Sequence, residues 1–260
     1  MQRSARSAGL AAPAHVRAVS RSCSSRPGII SSKAWARSQD GVRNYADAVL
    51  IWVNGTFGVG KTHTVAELHR RLPGSLVVDP EQVGYGMQKL VPASYRPDFQ
   101  DFVAWRTGVV EVLDLILRRH DGHVLVPMTV TDRRYFDETV GRLREVGHDV
   151  RHIALMAAPE TVVARLAGRG LGGGRLADAV GLRRLALRRE QWAVDRVVPN
   201  LERLGAPGFA QHVATDHLTV AQAAEQVAAL CAVQLAPDDA GPVRRAARRL
   251  ATTWEHVRPR

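Results

Sequence analysis

The chain has 260 residues, 45% of them hydrophobic, a formal net charge of +11 at pH 7 and two cysteines. That supplies apolar material for one large domain or two small ones, with no run of 18 apolar residues that could span a membrane. Cys23 and Cys231 lie in unlike surroundings and suggest no disulfide framework, as a reducing cytoplasm expects. The positive charge sits at the ends: residues 1–45 hold eight basic and one acidic residue, residues 241–260 six and one, and the body between holds 22 and 23. A near-neutral body gives no reason to expect a nucleic-acid partner.

Residues 1–45, rich in Ser, Arg and Ala and without hydrophobic periodicity, read as a disordered basic extension. Their composition suits a transit peptide or a GC-rich stretch upstream of the true start, and the Arg-over-Lys and Ala bias favours the second. A folded body is expected over 46–235, with a linker and basic tail over 236–260.

The first predicted strand is Val49 to Val53. It feeds Gly55-Thr56-Phe57-Gly58-Val59-Gly60-Lys61-Thr62, a G-x-x-x-x-G-K-[ST] phosphate-binding loop. Its glycines let successive N–H groups turn toward one phosphate chain, and the following helix, Thr62 to Leu72, adds its positive end. In such a loop Lys61 reaches the β- and γ-phosphates of ATP and the Thr62 hydroxyl ligates Mg²⁺.

A second strand, Ser75 to Val78, ends at Asp79-Pro80. Apolar residues every three or four positions between Asp98 and His120 predict one long helix. Asp121-Gly122 turns the chain into a third strand, His123 to Met128, followed by a helix over Tyr135 to Val146. The fourth strand, Val150 to Met156, leads to a helix opened by Pro159-Glu160. Gly168-Arg169-Gly170-Leu171-Gly172-Gly173-Gly174-Arg175 then reads as a mobile basic segment. A helix over Leu182 to Leu204, a fifth strand near Gln211 to Ala214 and a helix over Thr219 to Val233, with Thr219 as N-cap, complete the body. Apolar runs alternating with helical patterns predict an α/β fold with a parallel sheet covered on both faces.

Ligands of open parallel sheets bind outside the carboxyl ends of the strands, which singles out Asp79. A carboxylate there can accept the proton of an attacking hydroxyl or hold a water of the Mg²⁺ shell; as an Asp-Pro pair it is equally a turn residue. Glu81 could share the role. Arg165, Arg169 and Arg175 fit phosphate contacts on a closing flap, or solvated surface charge. Trp105 reads as core or as a stacking platform, and Arg106 as an acceptor contact. His120 and His123 lack further ligand spacing and read as solvated histidines rather than a metal site. The third strand ends Pro127-Met128-Thr129 where many motor-type ATPases place an acid.

Together, the run from Ile51 to Thr62, Asp79 to Gly84, Asp98 to Asp101, Val126 to Thr129, Arg151 to Leu155 and the Pro159-Glu160-Thr161 helix start resembles the tunicamycin resistance protein family over residues 48–235. The resemblance implies a three-layer α/β/α P-loop nucleoside triphosphate hydrolase fold of small-molecule kinase type, its five-stranded parallel sheet ordered 2-3-1-4-5. It implies an acceptor site near the second strand, an arginine-bearing lid near 165–180, and adenine beside Thr215-Asp216-His217. The function implied is Mg-ATP-dependent phosphoryl transfer to a hydroxyl of a small molecule, such as a nucleoside-like or sugar-bearing antibiotic. Sequestration of such a compound without transfer is the first alternative, and an AAA-type regulatory ATPase the second.

Overall fold

The computed structural model describes residues 49–168, 188, 190–209 and 211–238. The N-terminal extension, the basic tail, Arg169 and Arg175 lie outside them.

Strand β1 (Leu50–Gly55) has every residue buried, as a strand covered on both faces requires. Around it β2 (Leu76–Val77), β3 (Val124–Pro127), β4 (Val150–Met156) and β5 (His212–Ala214) form one sheet in the order β2-β3-β1-β4-β5. All four pairings are parallel. The predicted strand order is thus the observed one. Phosphate loop and Asp79 emerge from the same edge of the sheet because parallel strands share one carboxyl end.

The period-two alternation of β1 divides the core. Ile51 and Val53 face a cluster with Val65 and Leu68 of α1 (Lys61–Arg71), and Val227 of the last described helix joins them. Leu50 and Trp52 face the opposite cluster, with Trp105, Val109 and Leu113 of α3 (Val103–Leu117), which follows α2 (Glu81–Lys89). Each fully buried large apolar side chain contributes about 1.5–3 kcal/mol, so the two faces hold the three layers together.

Beyond β3, Arg133–Phe136, a π-helical turn Asp137–Gly141 and Arg142–Glu145 make up α4, capped by the Asp132 carboxylate, which accepts from the Tyr135 N–H. α5 (Pro159–Ala167) follows β4 with proline in its first turn. α6 (Gln191–Val194) and α7 (Val197–Leu204) replace the described end of the long helix expected up to Leu204. α8 (Val220–Leu230) starts at Thr219 in a reciprocal capping box with Gln222.

Two further expectations shift. The helix expected from Asp98 begins at Val103, because Asp98 instead caps a 3₁₀ turn over Phe99–Asp101 and Phe102 is extended, with φ −70° and ψ 116°. β2 is shorter than expected because it lies at the sheet edge, although the Val78 N–H still donates to Leu125 O at 2.9 Å.

Candidate functional site

The phosphate loop leaves the end of β1 with Gly55, Gly58 and Gly60 at φ of 148°, 84° and 115°, a backbone that side chains resist. At Gly58 a Cβ would also lie 2.7 Å from Leu166 Cγ, so α5 packs directly on the loop. Lys61, buried at the first position of α1, donates to Gly55 O at 3.0 Å and Thr56 O at 3.2 Å. Its ammonium therefore lies within the curl of the loop, where phosphate oxygens bind.

Buried amides and hydroxyls fix the entrance to this loop. Asn54 Oδ1 accepts from the N–H groups of Gly55 and Val130, at 2.8 and 3.0 Å, which makes Nδ2 the donor to Val130 O at 2.7 Å. That amide also points at His152 Nε2, 3.1 Å away, so Nε2 accepts and the imidazole proton belongs on Nδ1. Thr129 Oγ1 donates to Gly55 O at 2.8 Å. From α7, Asn200 Nδ2 reaches Thr56 Oγ1 at 3.4 Å while its Oδ1 accepts from Thr131 Oγ1 at 3.2 Å. Asn54, Asn200 and the Thr129 hydroxyl are not legible as site residues in the sequence, because apart from the adjacent Gly55 their partners lie 69 or more positions away.

Arg165 projects from α5 and ties three pieces together. Its Nη1 donates to Val59 O and Thr215 Oγ1, both at 2.9 Å, and its Nη2 to Thr215 O at 2.6 Å. Burial draws its pKa down, the nearby Asp216 carboxylate opposes this, and a guanidinium stays charged regardless. Asp216 accepts from the Ala158 N–H at 2.9 Å, and that bond, with the Thr161 hydroxyl, holds its carboxyl below the usual range. Both residues thus brace the β4 and β5 ends beside the loop.

Asp79 follows the last sheet-bonded residue of the β2 edge, and its Oδ1 accepts from the Glu81 N–H at 3.0 Å. One cleft of about 830 Å³ brings together Phe57 to His63, Asp79, Glu81, Arg165 and Thr215. Trp192, also in its lining and absent from the sequence reading, packs its ring on Phe57 with centroids 4.8 Å apart. Pro127 lines the cleft where the third strand carries no acid.

Other candidates fall elsewhere. Arg106 is buried, paired with Glu138 and donating to Gln100 O, so it braces α3 against α4 rather than facing the cleft. Trp105 is fully buried core. His120 and His123 are half-buried, with His120 Nε2 and His123 Nδ1 shielded from solvent, rather than the solvated groups expected. Among the described residues no group of three or more His, Cys, Asp or Glu side chains converges on a metal position.

The glycine-lined curl, a buried lysine at its centre and the Thr62 hydroxyl in the same cleft fit a Mg-nucleotide. Phosphates and water would complete the shell of a Mg²⁺ ion held by the Thr62 hydroxyl.

A family model described as an AAA domain matches residues 50–191. The comparison with curated proteins finds no match. Among solved structures, the Deinococcus radiodurans tunicamycin resistance protein is similar at 33% identity, over 74% of this chain and 99% of that one, with a TM-score of 0.58. More distant in sequence and shape are a Sinorhizobium meliloti gluconokinase, at 15% identity over 73% and 94% of the chains and a TM-score of 0.44, and the Mycobacterium tuberculosis APS kinase, at 11% over 72% and 98% and 0.45.

Proposed function

Starting from a chain that belongs to this AAA-domain family and to the family of tunicamycin resistance proteins, we propose that it transfers a phosphoryl group from Mg-ATP to a hydroxyl of a small molecule of the tunicamycin kind. The observation that carries the reading is the single cleft in which the phosphate loop and the strand-end carboxylate of Asp79 meet. A cytoplasmic setting belongs to the same reading.

Bound Mg-ATP supplies the transferable phosphoryl and neutralises its charge, with Thr62 holding the ion. The chain's own groups do the rest. Loop N–H groups orient the phosphates, and Lys61 exchanges the Gly55 and Thr56 carbonyls for phosphate oxygens. Arg165 keeps its charge at the loop through Val59 O. Asp79 has Oδ1 taken by the Glu81 N–H, which leaves Oδ2 to receive the acceptor's hydroxyl proton. The acceptor oxygen bonds to phosphorus as the bond to ADP breaks, and ADP leaves with that electron pair.

ADP release by the full chain, with Mg-ATP and a panel of nucleoside, aminosugar and tunicamycin-like acceptors, tests this. Stimulation by one acceptor, lost in Lys61→Ala and reduced about 10²–10⁴-fold in Asp79→Asn with nucleotide binding intact, is the expected result. Unchanged turnover in Asp79→Asn removes the base. Binding of a compound without stimulated ADP release replaces transfer with sequestration.

A further inference from the structure

We infer that Trp105 is a positioning residue for the proposed base: its indole N–H holds the Asp79-Pro80-Glu81 corner in place from α3, in an assignment that rests on the phosphotransferase reading. The indole Nε1 donates to Pro80 O at 3.0 Å, across 25 residues of sequence and in a buried setting. Pro80 O also accepts from the Gly84 N–H at 3.3 Å, so the indole grips the first turn of α2 at its start. On the other side of Asp79, the Val78 N–H donates to Leu125 O. The backbone of Asp79 is therefore pinned by the sheet through one neighbour and by α3 through the other.

The second pin matters because the first is weak. β2 comprises only Leu76–Val77, both exposed, at the edge of the sheet. An edge strand of two residues opens easily, and a side chain on it wanders unless something else holds it. Trp105 is fully buried in a helix that packs on the sheet, and so carries the rigidity of the core to this corner.

The ring stack around it has the same effect. Phe99 packs on Trp105 with centroids 5.1 Å apart, and Tyr85 meets Phe99 edge-on at 5.6 Å. A Cβ at Gly84 would run into the Phe99 ring, so α2 approaches this stack as closely as a backbone can. The Glu81 N–H that orients Asp79 Oδ1 belongs to the turn so held.

The test replaces Trp105 by its benzothienyl isostere, which exchanges the N–H for sulfur at nearly constant shape, alongside Trp105→Phe. Leu113→Ala, a buried truncation on the same helix, serves as the control for general destabilisation. Hydrogen exchange at the Glu81 amide is expected to quicken at least five-fold in the isostere, and acceptor-dependent kcat to fall at least five-fold with KM for ATP within two-fold. Leu113→Ala is expected to lower Tm while leaving that kcat at the assay temperature. Unchanged Glu81 exchange in the isostere overturns the assignment, as does faster exchange with unchanged kcat. Absence of acceptor turnover in the unsubstituted chain rejects the transferase reading instead, and Glu81 exchange then decides alone whether the indole holds the corner.

Discussion

Asn54 has four polar contacts within hydrogen-bond distance, which tie the end of β1 to the segment beyond β3, to His152 of β4 and to the loop it opens. Asn54→Ala leaves the Val130 groups without their partner, at about 1–3 kcal/mol for each unsatisfied buried group, and urea denaturation should show the loss. Gly58→Ala meets Leu166 and a φ of 84° together, so we expect about 1–3 kcal/mol of destabilisation and at least ten-fold weaker nucleotide binding by calorimetry. The two residues were unequally visible in the sequence. Gly58 belongs to a contiguous motif whose chemistry demands it, whereas Asn54 depends on Val130 and His152, brought to it only by the sheet.

Whole elements show the same division. The strands and the loop that follows the first of them are legible in local patterns, because burial on both faces marks β1, β3 and β4 as apolar runs, whereas the strand order rests on the family resemblance. The ends of α3 and the presence of α2 did not. Gly84 and Gly86 lower the helix propensity of α2, which is helical because its first turn is held by the Pro80 carbonyl and its side packs on Phe99. Arg165→Met removes the tie among α5, the loop and Thr215 while keeping length, and should weaken nucleotide binding more than it lowers Tm. A separate tie joins α3 to the turn after α4 through Asp114 and His148, 2.6 Å apart. Burial alone would raise the Asp114 pKa, but hydrogen bonds from Arg118 and His148 outweigh it and hold the carboxyl low. A depressed carboxyl stabilises the fold above its unfolded pKa, near 3.9, and the contribution is lost as pH falls through the folded value. Asp114→Asn should therefore flatten the acid limb of a stability profile below about pH 4.

For the molecule as a whole, Cys231 offers a reporter of global opening. It is fully buried where α8 ends, and burial pushes its thiol pKa up to about 12. In a Cys23→Ser background, a thiol reagent at pH 8 should modify nothing until denaturant unfolds the protein. Among the described residues no helix is long and apolar enough to cross a membrane. The contrast between β1, wholly buried at the centre, and β2, two exposed residues at the rim, has a thermal consequence. On the phosphotransferase reading, the phosphate end of the cleft is built on the first and the acceptor end on the second. On slow warming, acceptor turnover should fade several degrees before nucleotide binding does, leaving a window in which the protein grips ATP but no longer uses it. Parallel titrations of both properties against temperature check this, and coincident loss would mean that rim and centre melt as one.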